Sequence, residues 1–307
     1  MANSIKLDAV QHHAITGALF ALLAAVGFSG KAILIKLAYV DHVDAITLLA
    51  LRMAFSVPVF LAVAVWAKFH KSSTALTRHD WFAVLSLGLV GYYLASYLDF
   101  LGLQHISAGL ERLILYLYPT MVVVLSAWLY RQSIKPRERF ALLLSYAGIA
   151  LVFVHDAGMR GSSMSMGALL VFGSALAYAI YLIGANHTIA RIGATRFTAY
   201  AMTVASLASM LQFAVTHPWH DLVLNRRVYY LTLAMAVFST ILPAFLISAA
   251  MRRIGAGKTA LIGAVGPVST IYLAWVFLGE SVSFTQAIGS VLVLTGVLVI
   301  SVGRSGR

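Results

Sequence analysis

The sequence predicts an all-α polytopic membrane protein whose ten transmembrane helices form two inverted five-helix repeats. Of its 307 residues, 61% are hydrophobic and only 10% are charged, whereas soluble domains carry about 25% charged residues. Long uncharged runs such as 234–250 and 261–279 approach the roughly 20 residues that a helix needs to cross a bilayer. Residues 102–152 recur as residues 250–300, so the membrane region is also duplicated.

Identical residues at a constant spacing carry the duplication. Ten residues recur 148 positions later: Ile106, Ala108, Gly109, Leu113, Ile114, Pro119, Leu125, Ser133, Leu144 and Gly148 match Ile254, Ala256, Gly257, Leu261, Ile262, Pro267, Leu273, Ser281, Leu292 and Gly296. Gly17-Ala18-Leu19 also matches Gly167-Ala168-Leu169 at a spacing of 150. Each half then holds five helices, and an odd number of spans turns the second copy upside down. We expect the repeats to occupy residues 1–156 and 157–307.

The ten predicted spans are separated by short connections. Their ranges are 14–38, 44–67, 80–103, 106–129, 137–155, 166–190, 195–216, 228–250, 257–278 and 284–302. Each span ends where charged or turn-forming residues interrupt the apolar run. These interruptions fall at 41–42, 68–80, 131–139, 156–165, 217–227, 252–258 and 279–283. Since no connection could hold a soluble domain, we expect any chemistry to occur inside the helical bundle.

The distribution of basic residues predicts the orientation. Of the 22 Lys and Arg, 15 fall on the side of the N-terminus and only Arg160, Arg226 and Arg227 fall on the other side. Positively charged loops stay in the cytoplasm, so we expect a multi-pass protein of a bacterial inner membrane with both termini cytoplasmic. The first apolar stretch is longer than the core of a signal peptide. No basic stripe suggests binding of nucleic acid, and the lack of cysteine excludes Cys-ligated metals.

Charged residues within the spans predict a polar vestibule in the external half of the first repeat. The candidates are Lys31, Arg52, Asp99 and Glu111. A charge at the bilayer centre costs about 2.5 kcal/mol or more, so these residues need a structural or functional reason. We take Arg52 as the candidate partner of a substrate carboxylate. The alternative is that Arg52 pairs with Asp99 or Glu111 as a structural contact, while Lys36 and Arg112 extend to the membrane interface.

Aromatic residues at helical spacing predict the walls of a substrate cavity. The candidates are Tyr93 and Tyr97 on the third span, Tyr116 on the fourth, Tyr178 and Tyr181 on the sixth, and Tyr272 and Trp275 on the ninth. Tyrosine offers a flat apolar wall and a hydroxyl for the polar end of an amphipathic ligand. Tyr and Trp also form the interfacial belts of membrane proteins, and this alternative applies above all to Tyr97 and Tyr116.

Helix breakers form a third group of candidates. Pro119 and Pro267 occupy corresponding positions of the fourth and ninth spans and remove backbone hydrogen bonds inside the membrane. A paired interruption indicates a transport site, although it could also serve packing alone; in either case both helices should bend. Asn186 is an uncharged candidate for ligand binding or helix capping. His79 is a candidate gate or proton-sensitive group at the cytoplasmic end of the third span.

Some of these motifs resemble a known family. Ala108-Gly109 followed by Pro119, Ala256-Gly257 followed by Pro267, and the closing Leu278-Gly279-Glu280 resemble the EamA-type repeats of the drug/metabolite transporter superfamily. Length, spacing and aromatic content are similar to its YddG-type aromatic amino-acid exporters. The first repeat departs from the pattern, with Tyr130-Arg131-Gln132 in place of Leu278-Gly279-Glu280. The resemblance implies that helices 1–4 and 6–9 surround a central cavity, with helices 5 and 10 outside it.

Together these features predict a secondary transporter that exports aromatic and other large neutral amino acids, or related amphipathic metabolites, by alternating access. Asp99 and Glu111 lie off the membrane centre, which favours movement down the substrate gradient over proton coupling. An alternative cargo is a drug-like or quaternary cation, and a membrane-embedded lipid-modifying enzyme is a hypothesis from another class. We expect a non-enzymatic protein in the lipid bilayer that needs its small-molecule substrate but no cofactor, metal or partner protein.

Overall fold

The computed structural model describes residues 2–69, 75–160 and 162–304. Every regular element within these residues is helical. Nine of their helices are long and apolar enough to cross a membrane, and a shorter apolar helix spans Phe284–Ile300. The predicted fold class, an all-α protein with ten membrane helices, is confirmed.

We number the ten helices in chain order. Helix 1 is Ala2–Tyr39, helix 2 is Ala45–Phe69, helix 3 comprises Arg78–Gly88, Leu89–Leu94 and Ala95–Leu103, helix 4 comprises Ala108–Leu115 and Tyr118–Leu129, helix 5 is Pro136–Arg160, helix 6 is Ser162–Ile192 and helix 7 is Ala194–Thr216. After a short 3-10 turn at Trp219–Leu222, helix 8 comprises Arg226–Ala236, Val237–Ile241 and the part of Leu242–Gly263 before Gly255, helix 9 comprises the remainder and Val265–Leu278, and helix 10 is Phe284–Arg304.

Local hydrogen bonds and glycines set the helix ends. At the start of helix 3, Thr77 and Asp80 form a capping box, and Ser107 caps the start of helix 4. Gly193 and Gly255 adopt positive φ values of 86° and 80°, which glycine reaches without the steric cost of a β-carbon. These two residues reverse the chain between helices 6 and 7 and between helices 8 and 9, so the connections stay short.

Helices 3 and 8 contain π-helical segments at corresponding positions. Leu89–Leu94 in helix 3 and Val237–Ile241 in helix 8 begin 148 residues apart, the same spacing as the sequence repeat. A π-helical segment shifts the residues that follow it around the helix axis. Gly91, within the first of these segments, lies directly against the ring of Tyr181, so helix 3 approaches helix 6 closely at this point.

Helices 4 and 9 are interrupted at corresponding positions as well. Helix 4 breaks at Tyr116–Leu117 and helix 9 breaks at Ala264. The prolines that follow, Pro119 and Pro267, lack the N–H that would continue the helical hydrogen bonds. The bends expected in both helices are present, and their role in gating remains a prediction.

The helices form two bundles of three that are joined by two helix pairs. Helix 6 packs along helices 3 and 4, which we call bundle A, and helix 1 packs in the same way along helices 8 and 9, which we call bundle B. Helix 2 packs on helix 7, and helix 5 packs on helix 10. Gly148 and Gly289 allow helices 5 and 10 to approach, since a β-carbon on Gly148 would lie 2.7 Å from the Gly289 carbonyl oxygen.

The helix ends define two faces, and the bundles meet near one of them. Helices 4 and 6 end at the predicted cytoplasmic face, whereas helices 1, 3 and 9 end at the predicted external face. The first segment of helix 4, Ala108–Leu115, packs against helices 1 and 9 of bundle B in addition to helices 5 and 6, whereas its second segment, Tyr118–Leu129, packs mainly against helices 5, 6 and 10. The contact between bundles A and B is therefore concentrated towards the predicted external face.

Candidate functional site

Lys31, Asp99 and Glu111 come together between the bundles in the predicted external half. The Nζ atom of Lys31 lies 2.5 Å from Oδ2 of Asp99 and 3.6 Å from Oε1 of Glu111. The two carboxylate side chains are only 2% and 1% exposed, and that of Lys31 is 16% exposed. Three of the residues predicted to form a vestibule are therefore neighbours, in a tight ion cluster and not in an open cavity.

Arg52 lies beside this cluster and is engaged by groups of the protein itself. Its Nη2 donates a hydrogen bond of 3.0 Å to Oγ of Ser96, and its guanidinium lies 4.8 Å from the ring centroid of Phe100. The residue is 4% exposed. Cation–π contact and hydrogen bonding tie the guanidinium to helix 3 through Phe100 and Ser96, and not through the ion pair with Asp99 or Glu111 that the structural alternative expected. The Nε atom of Arg52 is buried and has no hydrogen-bond partner among the described residues, so its role as a substrate ligand stays a prediction.

Five tyrosines of bundle A form a continuous aromatic network, which we call the tyrosine cluster. Tyr178 and Tyr181 stack with their ring centroids 5.5 Å apart, and Tyr118 meets Tyr178 edge-on at 5.2 Å. Tyr116 lies 6.3 Å from Tyr118. Tyr92 meets Tyr181 at 4.9 Å, and their hydroxyls are 2.9 Å apart. Three of these residues were candidates from the sequence, whereas Tyr92 and Tyr118 were not.

Helical spacing selected other residues of helix 3 than the one that meets helix 6. Tyr93 and Tyr97, four residues apart, stack on one another with centroids 6.3 Å apart, as their spacing predicts. It is Tyr92 that contacts Tyr181. The spacing identified residues that share a side of helix 3, but it could not identify which side faces helix 6.

Arg112 of helix 4 lies beside the tyrosine cluster, where bundle A meets bundle B. It lies one helical turn before Tyr116, whose backbone N–H donates a hydrogen bond of 3.0 Å to the Arg112 carbonyl, and Tyr116 leads through Tyr118 to Tyr178. On the other side, the guanidinium of Arg112 covers the backbone of Gly266 in helix 9, where an added β-carbon would lie 2.8 Å from Nη2 of Arg112. The Nε atom of Arg112 is buried and has no hydrogen-bond partner in the part of the chain that the structure describes. Arg112 therefore does not extend to the interface; Gly266 leaves room for its guanidinium between the bundles.

The structure corrects the role expected for the aromatic residues of helix 9. Tyr272 and Trp275 are 60% and 58% exposed. The buried residues of this segment are small ones such as Gly266, Thr270 and Ala274, which lie on the side that packs against helices 1 and 4. The bulky rings consequently lie on the opposite side of the helix, as expected of residues that contact lipid, and do not line the space between the bundles.

Two polar candidates also lie away from the site. Asn186 is exposed near the predicted cytoplasmic end of helix 6, and His79 is exposed at the start of helix 3. The residue beside it, Asp80, is the buried one: its Oδ1 accepts a hydrogen bond of 2.9 Å from Nε of Arg191. Sequence spacing could not reveal this ion pair, since its partners are 111 residues apart.

The space between the bundles offers a defined chemistry. A guanidinium binds a carboxylate through two parallel hydrogen bonds. Tyrosine rings stack on aromatic groups and contact thioethers favourably. Among the residues that the structure describes, no group of three His, Cys, Asp or Glu side chains could hold a metal ion. The guanidinium and the tyrosine rings are thus complementary to a carboxylate and to a flat or sulfur-containing group.

Comparison with known proteins assigns the family. The model of the EamA-like transporter family matches residues 15–154 and 165–302. The chain is 30% identical over 282 residues to the uncharacterized transporter YcbK of Bacillus subtilis (strain 168), with 90% of this chain and 89% of that protein covered. It is 26% identical over 228 residues to the S-adenosylmethionine/S-adenosylhomocysteine transporter of Chlamydia muridarum (strain MoPn / Nigg), with 69% and 70% covered. A solved crystal structure shares the fold, with a TM-score of 0.63 at 21% identity over 92% of this chain and 95% of the other. The chain is thus a multi-pass membrane protein that belongs to the EamA-like transporter family of the drug/metabolite transporter superfamily.

Proposed function

We propose that this transporter exports amino acids and related amphipathic metabolites whose side chain carries a flat ring or a thioether. The observation that supports this most is the position of Arg112, one helical turn before Tyr116 of the tyrosine cluster and against Gly266 of the other bundle, with a buried Nε that has no hydrogen-bond partner among the described residues. Export proceeds by alternating access across a bacterial inner membrane, with both termini in the cytoplasm, as the excess of basic residues on that side suggests.

Arg112 supplies the partner for the carboxylate of the substrate. The ammonium group of the substrate needs an acceptor, and the interrupted helix 4 supplies one: Pro119 leaves the carbonyl of Leu115 without its helical donor. The rings of the tyrosine cluster contact the side chain of the substrate. The carboxylate, the ammonium and the ring of the substrate then each have a complementary group in the protein.

S-adenosyl compounds are a second candidate within the same chemistry. S-adenosylmethionine and S-adenosylhomocysteine carry an amino-acid head, a sulfur atom and a purine ring, so they meet the same requirements as phenylalanine or methionine. The similarity to a transporter with these substrates supports testing them directly. A drug-like cation that lacks a carboxylate is less well supported, because it offers no partner for the guanidinium of Arg112. S-adenosylmethionine also carries a cationic sulfonium, but it keeps the amino-acid carboxylate.

Counterflow in proteoliposomes tests the proposal. Liposomes loaded with unlabelled phenylalanine should take up labelled phenylalanine without any ion gradient, and liposomes loaded with S-adenosylmethionine test the second candidate in parallel. Arg112→Gln should lose most of this uptake, since the carboxylate then has no charged partner. Tyr178→Phe and Tyr272→Phe form a matched pair: the first removes a hydroxyl from the tyrosine cluster, and the second removes one from the exposed face of helix 9.

The outcomes separate the alternatives. Uptake that is lost in Arg112→Gln, lowered in Tyr178→Phe and unchanged in Tyr272→Phe supports the proposed site. Uptake of S-adenosylmethionine but not phenylalanine narrows the substrate class to nucleoside-bearing amino acids. If correctly folded protein moves neither compound, or if Arg112→Gln transports normally, the proposed substrate class or the proposed role of Arg112 is wrong.

A further inference from the structure

We propose that Lys31, Asp99 and Glu111 form the gate that closes the predicted external face, and that this gate keeps the empty transporter closed on that face. The inference rests on the alternating-access mechanism proposed above, in which bundles A and B separate at one face at a time. It does not depend on which substrate is carried.

The ion cluster joins one bundle to the other. Lys31 belongs to helix 1 in bundle B, whereas Asp99 and Glu111 belong to helices 3 and 4 in bundle A. Its two short distances, 2.5 Å and 3.6 Å, therefore bridge the surfaces that must part when this face opens. Separating buried opposite charges without replacing their partners is strongly unfavourable.

Two further contacts cross the boundary between bundles A and B, which we call the seam. The hydroxyl of Tyr39 in helix 1 donates a hydrogen bond of 2.7 Å to the carbonyl of Phe100 in helix 3. Glu280, just after helix 9, accepts hydrogen bonds from the backbone N–H groups of Ala108 and Gly109 at 3.0 Å and 3.4 Å. A carboxylate at the start of a helix is favoured by the orphan N–H groups and by the helix dipole. Glu280 thus ties bundle B to the first turn of helix 4.

The charges of the cluster are not repeated at the corresponding positions of the other repeat. At the repeat spacings of 150 and 148, the counterparts of Lys31, Asp99 and Glu111 are Tyr181, Ile247 and Thr259. The counterpart of Glu280 is Gln132, an amide without charge. Since the backbone of the repeats is duplicated but these charges are not, the two faces differ in how strongly they close. The asymmetry favours the state in which the predicted external face is shut.

Charges that face the cluster come from three helices of the seam and from helix 2. Arg52 of helix 2 is attracted by Asp99 and is held by Ser96, so it supports the carboxylate side without crossing the seam. Arg112 follows Glu111 on helix 4 and interacts with it electrostatically. Lys31 is the charge that bundle B contributes to the cluster, so removal of its ammonium is the sharpest way to break the gate.

Spin-label distances between pairs of introduced cysteines measure the gate without any substrate. The chain contains no cysteine, so only the introduced ones react. The external pair is Val40→Cys with Gln104→Cys, at exposed positions after helices 1 and 3, and the cytoplasmic pair is His187→Cys with Met251→Cys, at exposed positions on helices 6 and 8. Each pair reports across the seam between bundles A and B.

Lys31→Met should move the distribution of external distances to longer values and that of cytoplasmic distances to shorter values. Asp99→Asn combined with Glu111→Gln should do the same, and it provides the test if Lys31→Met does not yield folded protein. Exchange of the charges, with Lys31→Asp and Asp99→Lys, should restore part of the closed population. These variants separate a gate from a merely stabilising ion pair, because the latter changes thermal stability without moving the two distances in opposite directions.

Ion pairs within a bundle serve as the matched controls. Asp80 and Arg191 pair inside bundle A, and Asp41 and Arg227 pair inside bundle B at 3.7 Å. Arg191→Met and Arg227→Met should leave both distance distributions unchanged. If folded Lys31→Met and the double carboxylate variant also leave them unchanged, the gate is refuted. If counterflow fails but the distances shift as expected, the proposed substrates are wrong and the gate is still supported.

Discussion

Replacement of Gly266 by alanine is expected to displace the guanidinium of Arg112 without unfolding the transporter. The added β-carbon would lie 2.8 Å from Nη2 of Arg112 and 3.6 Å from its Cζ and Nε atoms. Ordinary contact begins at 3.4 Å, so the tip of the side chain has to move by about 0.6 Å. Nη2 is the far end of a flexible side chain, which can move at little cost to stability. Gly266→Ala should therefore act mainly on ligand binding.

The size of the effect follows from the hydrogen bonds that Arg112 makes to a carboxylate. Hydrogen bonds to charged groups contribute about 1.5–3 kcal/mol. Loss of roughly half of this contribution weakens binding by about three- to twelvefold. Alanine is also up to about 1 kcal/mol more favourable than glycine inside a helix, so the unfolding temperature should stay constant or rise slightly. Counterflow at several phenylalanine concentrations gives the half-saturation value, and thermal unfolding of the purified protein gives its stability.

Gly263→Ala is the matched control, since a β-carbon at Gly263 meets nothing within 4 Å. This substitution introduces the same methyl group near the same break in helix 9, and it should leave the half-saturation value unchanged. Equal effects of Gly266→Ala and Gly263→Ala would refute the reasoning, because the contact with Arg112 would then not matter. A large loss of thermal stability in Gly266→Ala would also contradict it.

Three further predictions concern stability and can be checked by thermal unfolding of purified variants. Arg52→Gln should destabilise the protein by about 1–3 kcal/mol, since it removes the buried hydrogen bond and the ring contact of the guanidinium; an unchanged unfolding temperature with lost transport would instead restore Arg52 as a substrate ligand. Arg191→Met should cost about 1–3 kcal/mol, less than the loss of a fully buried pair because Arg191 is 30% exposed, whereas Arg191→Met combined with Asp80→Asn should recover part of this loss. Gly148→Val should separate helices 5 and 10 and cost about 1–3 kcal/mol by overpacking against the backbone of Gly289; unaltered stability would show that the two helices do not touch there.

Hydrophobicity alone was sufficient to predict the ten helices. The apolar runs are long, and the cost of leaving backbone groups without hydrogen bonds in lipid forces each run to be helical. The repeat at 148 residues also predicted that structural features occur once in each half. The interruptions of helices 4 and 9 and the π-helical segments of helices 3 and 8 follow this spacing. These are properties of local sequence, or of two copies of it.

Which residues meet one another could not be predicted from spacing along one chain. Helical spacing selected Tyr93, whereas it is Tyr92 that contacts Tyr181 in the structure. Membrane depth suggested that Arg112 reaches the interface, yet the absence of a side chain on Gly266 leaves room for its guanidinium between the bundles. The residues next to Arg112 in the sequence do not indicate this position, because Gly266, which makes room for the guanidinium, lies on another helix.

The sequence by itself determined the membrane class, the number of helices, the duplication and the charges placed inside the membrane, because each of these depends on composition and on spacing along one chain. The tertiary structure decided which of those charges meet. Lys31 contacts Asp99, Arg52 stays with Ser96, and Arg112 lies beside the tyrosine cluster. The physical reason is that packing between helices, with close approach at glycines and a changed register at π-helical turns, sets the direction of each side chain, and no property of a single helix contains that information.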